Sequence, residues 1–310
     1  MFFKPQKYGR DVEKNHKKDL SNEPSVGVQV YTGLMASCPL TRVFLQMHKK
    51  HIDDQSTIEK AHTNIKQVPI IYFHGFRGGA YTTRKLVGAA LKDKQNKDFL
   101  QVTVDLRGNF KLRGTWTGDR NPIVQVVFRE RVIGIYGIDY YLSFLLPFLS
   151  KKYHFNTYTA VSHSLTCPCI IRTELRFARR KKFPHLDKCA FIAGPFNGVT
   201  YLGDIPNVNE LNDRGRPSVM NPHYLYLLWR KRRVSKDLSV LNIYGNVLDD
   251  TNTDKYISVV SAKSIRYILA PKAHNYSEVE IRGKDVAEHS NMHDDPFVIN
   301  IINKFIGLRK

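Results

Sequence analysis

From residue 68 onward, short apolar runs alternate with longer stretches of helical periodicity, and this alternation limits the fold more than any other feature of the chain. The short runs are mostly β-branched or aromatic and apolar on both faces, as strands covered on both sides are. Such a rhythm predicts a mostly parallel central sheet with helices on both faces, an α/β fold. The predicted strands are 68–73, 100–105, 123–128, 157–162, 188–193, 239–244 and 276–281, and the predicted helices are 82–92, 133–152, 165–179, 257–269 and 296–306.

The domain organisation follows from where this rhythm starts and where it breaks. With 310 residues, 42% of them hydrophobic, the chain is long enough to bury one large core, and a single domain over 67–310 is expected. Residues 1–66 are polar and lack a clear period, which predicts an N-terminal arm that is irregular or partly mobile. The segment 204–236 is rich in Asn, Pro and Arg and interrupts the strand rhythm, so we expect an inserted lid there.

The charge balance indicates which partners suit the surface. A formal net charge of +20 favours anionic partners such as an acidic membrane or a cell-wall polymer. The basic residues lie in scattered clusters without a nucleic-acid motif, so nucleic acid is not predicted as a partner. No signal peptide and no apolar run of membrane-spanning length is visible, and the default expectation is a cytoplasmic protein.

A glycine-containing loop, YFHGFRGG at 72–79, follows the first predicted strand. Glycines allow close approach of the backbone, so the Phe76 N–H is a candidate donor to an oxyanion. A plain glycine turn is the structural alternative. The loop matches neither G-x-x-x-x-G-K-[ST] nor G-x-G-x-x-G, and no cofactor is predicted.

The segment AVSHSLTC at 160–167 joins a predicted strand to a helix, and its Ser164 is the candidate nucleophile. A strained strand-to-helix turn that presents a serine usually reads G-x-S-x-G. Here Ser162 and Thr166 replace both glycines, which places the reactivity of the turn in question. The Leu165 N–H, at the start of the helix, is the second candidate oxyanion donor. A helix-capping role for the serine is the alternative.

An acid and a histidine follow in the chain order that a serine nucleophile of this fold requires. We select Asp254 as the acid, because it precedes a helical stretch; Asp250 is the alternative, although Asp beside Asn and Gly is usually a turn former. The histidine lies in EHSNMHDDP, where His289 is preferred and His293 is the alternative. The His-x-x-x-His spacing lacks the central Glu of H-E-x-x-H, so no metal is predicted.

Five segments together resemble a known group of proteins, the bacterial α/β hydrolases of unknown function that are often described as cell-surface hydrolases. The resemblance spans about 66–307 and implies the α/β-hydrolase fold of lipases and esterases. In that group the strand-to-helix turn that presents the nucleophile usually reads G-H-S-M-G, and the histidine segment reads H-S-x-L-H. The resemblance therefore implies that Ser164, Asp254 and His289 form a catalytic triad and that Phe76 and Leu165 are the oxyanion donors. It also implies a cell-surface location as the alternative to a cytoplasmic one. The segments are VPIIYFHGFRGGAYTT, AVSHSLT, FIAGPFNGV, NIYGNVLDDTNTDKYISVVSAKSIRYIL and IRGKDVAEHSNMHDDPFVINIINKFI.

Two functional hypotheses result. The first is a serine hydrolase that cleaves a small-molecule or lipid-like carboxylic ester through an acyl-enzyme. In this hypothesis the apolar stretches 140–149 and 223–229 either line a pocket for the acyl group or pack in the core and the lid. The second is a weakly active or inactive hydrolase-fold protein that binds an anionic surface or partner, a hypothesis that Thr166 and the basic clusters favour.

Overall fold

The computed structural model describes residues 50–60 and 65–309. Most of the predicted N-terminal arm therefore lies outside the described residues. The strands, in chain order, are β1 (Ile52–Ile58), β2 (Ile70–Phe73), β3 (Leu100–Val104), β4 (Phe110–Trp116), β5 (Ile123–Phe128), β6 (Thr157–His163), β7 (His185–Ile192), β8 (Val199–Thr200), β9 (Gly203–Asp204), β10 (Ser239–Asn246) and β11 (Asn275–Arg282).

The helices fill the connections between these strands. Two 3-10 turns, Lys231–Arg233 and Met292–Asp294, accompany them. The α-helices are α1 (Ala80–Asp93), α2 (Ile135–Tyr153), α3 (Thr166–Phe177), α4 (Pro222–Arg230), α5 (Val259–Lys263), α6 (Arg266–Leu269) and α7 (Pro296–Ile306).

In the described part of the chain, nine strands form one sheet in the order β1-β4-β3-β5-β2-β6-β7-β10-β11, and β8 pairs with β9 in a separate two-stranded ribbon. The strands from β3 to β11 in this order are all parallel to one another. β4 runs antiparallel to β3, and β1 runs parallel to β4. The predicted mostly parallel sheet is confirmed.

Helices cover both faces of the sheet and divide the core into two clusters. One cluster packs α2, α3 and α4 against one face, and the other packs α1 and α7 against the opposite face. The apolar face of α2 is inside the first cluster, where Leu142, Leu145, Leu146 and Leu149 are fully buried. The stretch 140–149 thus packs in the core, which was the alternative to its lining an acyl pocket.

All seven predicted strands form, and β5 and α7 have the predicted bounds. The predicted helix 257–269 is instead two short helices, α5 and α6. Four of the described strands were not predicted: β1 and β4 in the large sheet, and the short pair β8 and β9. β4 alternates buried residues with charged ones such as Lys111 and Arg113, and β1 is an exposed edge strand with the sequence IDDQSTI. The expectation of an irregular arm is therefore wrong for residues 52–58, because pairing with β4 orders a segment that has no apolar run of its own.

The predicted lid segment, 204–236, contains α4 and lies between β7 and β10. Its helix packs on α3, with the Arg172 guanidinium 3.6 Å from the centre of the Tyr226 ring. A lid function for this segment stays a prediction. No helix in the described ranges is both long and apolar enough to cross a membrane.

The parallel strands bring four loops to one edge of the sheet. The loops that follow β2, β6, β10 and β11 all leave from the carboxyl ends of their strands, and ligands bind at this edge in open α/β sheets. They contain, in the same order, the segment His-Gly-Phe at 74–76 (the HGF loop), Ser164, Asp254 and His289.

Candidate active site

Ser164 sits at a sharp turn between β6 and α3. Its backbone is in the left-handed region, with φ of 56°, a conformation that a non-glycine residue adopts only when its surroundings impose it. Two main-chain hydrogen bonds hold it there: the Ser164 N–H donates to the carbonyl of Ile192 at 2.8 Å, and the Ser164 carbonyl accepts from the Cys167 N–H at 2.9 Å. The turn lifts the serine side chain out of the strand toward the neighbouring loops.

The two side chains that replace the usual glycines of this turn are accommodated. Thr166 is fully buried, and its hydroxyl donates to the His163 carbonyl at 2.9 Å, so the first turn of α3 gains a hydrogen bond. The Ser162 hydroxyl lies 3.5 Å from the Cys167 sulfur, which in turn donates to the Ser162 carbonyl at 3.2 Å. Both hydroxyls have partners within the turn, so neither replacement leaves an unpaired buried polar group.

A hydrogen-bonded chain joins Ser164, His289 and Asp254. The Ser164 Oγ is 2.8 Å from His289 Nε2, and His289 Nδ1 is 2.8 Å from Asp254 Oδ2. The three side chains lie far apart in sequence and are almost entirely shielded from solvent, with residue exposures of 9%, 8% and 1% in that order. In this arrangement the imidazole is oriented by the carboxylate on one side and accepts from the hydroxyl on the other.

The alternatives that the sequence left open lie elsewhere. His293 does not contact Ser164; its Nδ1 is 2.9 Å from the carboxylate of Asp294. Asp250 is exposed, and its carbonyl accepts from the side chain of Asn207. The structure thus brings His289 and Asp254, and not the alternatives, to the serine.

The loop that carries Asp254 is built around its carboxylate. Oδ1 accepts from the N–H groups of Tyr256 and Ile257, at 3.0 and 2.7 Å, which leaves Oδ2 for the imidazole. The Asp254 carbonyl also accepts from the His289 N–H at 3.0 Å, so the acid and the histidine are joined through both backbone and side chain. At the end of β10, a Cβ on Gly245 would lie 2.2 Å from the Ala287 carbonyl oxygen. Only glycine therefore lets these two loops approach.

The HGF loop presses directly against the serine turn. A Cβ on Gly75 would lie 2.6 Å from the Ser164 Cβ and 2.9 Å from the His163 carbonyl oxygen, so this position requires glycine. Within residues 50–60 and 65–309, the N–H groups of Phe76 and Leu165 donate to no protein acceptor. Both predicted oxyanion donors are thus located in the segments that flank Ser164 and are available to a ligand.

His163, next to the serine, connects the serine turn to the histidine loop. Its Nε2 is 3.0 Å from the His289 carbonyl oxygen, an acceptor, so Nε2 carries the proton. Its Nδ1 is buried without a protein partner, and its ring packs 4.8 Å from the rings of both His289 and His293. Burial, with the nearby His293 and His289, holds the pKa of His163 well below its usual range. His163 is therefore neutral beside the reacting groups.

His74 fixes the conformation of the HGF loop. Its Nδ1 is 2.8 Å from the Gly75 carbonyl oxygen, and its Nε2 accepts from the Phe128 N–H at 2.9 Å. These two bonds require the neutral ring with the proton on Nδ1, because protonation of Nε2 would set two donors face to face. Complete burial lowers the pKa of His74 to about 4, in agreement with that tautomer.

The cleft beside these residues is small. It has a volume of about 50 Å³ and is lined by the HGF loop, by the first turn of α1 and by the histidines. Ser164 is not one of the lining residues, but its hydrogen-bond partner His289 and its close neighbour Gly75 are. Among the described residues, no group of three or more His, Cys, Asp or Glu side chains is arranged to hold a metal ion. The lining residues are Gly75, Phe76, Arg77, Gly78, Tyr81, Thr82, His163, His289, Ser290 and His293.

Sequence reasoning did not identify the positioning role of His163 or the need for glycine at 245. The sequence shows that a histidine precedes Ser164, but the role of this histidine depends on its contact with the His289 carbonyl, 126 residues away. Gly245 lies at the end of a predicted strand, and a glycine in that position can indicate that another backbone approaches closely.

Comparison with known proteins agrees with this fold. The sequence pattern of a family described as alpha/beta hydrolases of unknown function (DUF915) matches residues 57–307. The product of the gene lin2722 from Listeria innocua is 25% identical, with a TM-score of 0.68 over 79% of this chain and 95% of the other. A protein of Lactobacillus plantarum that is called a cell surface hydrolase is 18% identical, with a TM-score of 0.64 over 79% and 93%. No curated protein matches.

The neutral state of buried His74 predicts a pH dependence of stability. Its folded pKa of about 4 lies below the ordinary value of 6.5, so between these values the unfolded chain binds the proton and the folded chain does not. Stability is then fully present above pH 6.5 and is lost as the pH falls toward 4. We expect His74 to account for a loss of about 3 kcal/mol in the free energy of unfolding over this interval.

Urea unfolding at pH 7.5, 6.5, 5.5 and 4.5 tests this expectation. The wild type should lose stability more steeply than the His74→Gln variant, whereas the variant of an exposed histidine, His154→Asn, should follow the wild type. Equal slopes for wild type and His74→Gln would show that His74 is not the responsible group.

Proposed function

Because this chain belongs to the family of alpha/beta hydrolases of unknown function, we propose that it is a serine hydrolase that cleaves carboxylic esters through an acyl-enzyme. The observation that carries the proposal is the hydrogen-bonded chain from Ser164 through His289 to Asp254, with Ser164 held in a left-handed turn. A hydroxyl is a poor nucleophile at neutral pH unless an imidazole takes its proton, and this chain supplies the imidazole.

In the proposed mechanism, Ser164 Oγ attacks the ester carbonyl carbon while its proton passes to His289 Nε2. Asp254 holds the ring with Nδ1–H toward its own carboxylate and stabilises the imidazolium that forms. The imidazolium then gives its proton to the alcohol that leaves, and the acyl group stays on Oγ. Water, deprotonated by His289, attacks the acyl carbonyl carbon; the bond to Ser164 Oγ then breaks, Oγ takes the proton back from His289, and the acid is released.

The developing negative charge needs donors near Ser164. The free N–H groups of Phe76 and Leu165 flank the serine and suit this role. Each such donor contributes roughly 3 to 4 kcal/mol of transition-state stabilisation in hydrolases of this type. Gly75 and the fixed tautomer of His74 support the Phe76 N–H by keeping the HGF loop against the serine turn.

The neutral state of His163 suits the same mechanism. His289 becomes positive in the transition state, and a second imidazolium 4.8 Å away would oppose that charge. The low pKa of His163 removes this repulsion, while its Nε2–H orients the backbone of His289. We therefore assign His163 a positioning role.

The dimensions of the site favour esters with short acyl groups. The cleft holds about 50 Å³, and the stretch 140–149, one predicted wall of an acyl pocket, is packed in the core. In the other predicted wall, Tyr224 and Leu227 are fully buried, whereas Leu225 and Trp229 are exposed. Neither stretch is among the residues that line the cleft.

The alternative of an inactive binding protein was favoured by the basic clusters and by Thr166, which with Ser162 replaces the usual glycines of the turn. Both side chains fit the turn and form hydrogen bonds there, and Ser164 retains its left-handed backbone. The departures from glycine therefore give no structural reason for lost activity.

A fluorophosphonate probe tests the proposal directly. The folded wild type should be labelled at Ser164, and Ser164→Ala should show no labelling, because the activated hydroxyl is gone. The matched control is Ser290→Ala, whose serine lines the same cleft without touching an imidazole nitrogen and should be labelled like the wild type. A folded wild type that is not labelled would refute the proposed function.

The acyl-length preference is tested with p-nitrophenyl esters from acetate to dodecanoate. Because the cleft is small, kcat/KM should fall roughly tenfold or more between butyrate and dodecanoate. The rate of ester hydrolysis measured with Ser164→Ala is subtracted at each acyl length to correct for background hydrolysis. A maximum at octanoate or longer would contradict the short-acyl proposal.

The positioning role of His163 is tested with two variants. His163→Leu removes the donor to the His289 carbonyl, and the rate of fluorophosphonate labelling should fall roughly ten- to a hundredfold, since small displacements of a catalytic group are costly. His163→Gln can still place an N–H near that carbonyl and should recover most of the rate. Equal rates for the Leu and Gln variants would show that the hydrogen bond is not what matters.

A further inference from the structure

One charged side chain at the cleft plays no part in the proposed mechanism. Arg77 lines the cleft beside Gly75 and His293, and it is exposed. Across the ranges that the structure describes, no carboxylate, carbonyl or hydroxyl pairs with its guanidinium; its hydrogen bonds are made by its backbone. Arg77 thus adds an unneutralised positive charge to the lining of the cleft.

The backbone of Arg77 is fixed, and in a conformation that suits glycine better. Its φ is 58°, in the left-handed region, although glycines occupy three of the neighbouring positions of the loop. The Arg77 N–H donates to the Arg131 carbonyl at 2.7 Å. The Arg77 carbonyl accepts from Arg131 Nη2 at 2.6 Å and from the Tyr81 hydroxyl at 2.9 Å. A strained position that carries a long cation instead of glycine points to a use for the cation.

The rest of the cleft is complementary to a negative charge. Its ten lining residues include no Asp or Glu. Asp294, which follows the lining residue His293, is already bound by the His293 ring and by Lys85, at 2.9 and 3.3 Å. His163 is neutral and does not compete for an anion. Arg77 is therefore the permanent cation of this lining, with no acid in the lining to neutralise it.

We infer that Arg77 binds an anionic group of the substrate, a phosphate or a carboxylate attached close to the ester bond. A guanidinium presents a planar pair of N–H donors that matches the oxygens of either group. The inference rests on the proposed function and narrows it: the preferred substrates are short-acyl esters whose remaining part is negatively charged. The fixed loop around residue 77 sets the distance between the anion and Ser164.

Two pairs of esters test this inference, each pair differing only in the anion. The phosphate pair is 1-acetylglycerol 3-phosphate and 1-acetylglycerol, and the carboxylate pair is 3-acetoxypropanoate and 3-acetoxypropanamide. The wild type should hydrolyse the anionic member with a kcat/KM about 10 to 100 times higher, mainly through a lower KM, as a charged hydrogen bond is expected to provide. Added NaCl should reduce this preference.

Two matched variants locate the effect. Arg77→Gln should abolish the preference, while the neutral esters and fluorophosphonate labelling keep their wild-type rates. Arg84→Gln, at an exposed position of α1 outside the cleft lining, should retain the preference. As a readout that needs no turnover, glycerol 3-phosphate or propanoate should slow labelling of the wild type more than glycerol does, and should not slow labelling of Arg77→Gln.

The outcomes separate this inference from the proposed function. A folded wild type that is not labelled at Ser164 overturns the proposed function and the inference with it. A labelled wild type that shows no preference in either ester pair and no slowing by either anion overturns the inference alone. Equal slowing of neutral and anionic esters by Arg77→Gln also overturns it, because the residue then supports the loop and not the anion. A preference in one pair only supports the inference and identifies which anion is bound.

Discussion

The left-handed backbone of Ser164 is the constraint on which the rest of the site depends. A serine in this conformation at the end of β6 projects its hydroxyl away from the sheet, and the dipole of α3 begins immediately behind it. The conformation persists because neighbouring segments bond to it: β7 through the Ile192 carbonyl and α3 through the Cys167 N–H. Gly75 removes the side chain that would otherwise collide with it. The contacts that hold the serine turn thus involve neither Asp254 nor His289.

Main-chain contacts, more than side-chain packing, bring the partner loops together. The His289 N–H donates to the Asp254 carbonyl, and the His289 carbonyl accepts from the ring of His163. The histidine backbone is thus held from both sides, and its ring has little freedom once Asp254 Oδ2 accepts from Nδ1. Such preorganisation lets the transition-state charge meet donors and acceptors that are already in position.

The distribution of charge in the site follows from burial. His74 and His163 are kept neutral by their surroundings, although a cluster of histidines in a chain of net charge +20 suggests a strongly positive cleft. The permanent positive charge of the cleft lining is on Arg77 instead. In the proposed function, proton transfer by His289 and recognition of an anion by Arg77 are therefore assigned to different residues.

The sequence by itself determined the elements whose signal is local. Runs of mostly β-branched, aromatic and apolar residues located the seven parallel strands, because strands covered on both faces of a sheet are rich in such residues. The order of Ser164, Asp254 and His289 was also readable, since each follows a predicted strand and the carboxyl ends of parallel strands meet at one edge. The short edge strand β1 was not readable, because it forms only when β4 supplies its hydrogen bonds.

The tertiary structure alone decided what depends on partners distant in the chain. The sequence favoured His289 over His293, but the two lie only four residues apart, and the fold shows which imidazole reaches the serine. Whether Thr166 disrupts the turn depends on one carbonyl, which its hydroxyl reaches. Hydrophobic periodicity reports which face of an element is buried, but hydrogen-bond partners are set by the path of the whole chain. The contact between His289 and Ser164, the neutral state of His163 and the unpaired charge of Arg77 therefore became visible only in the fold.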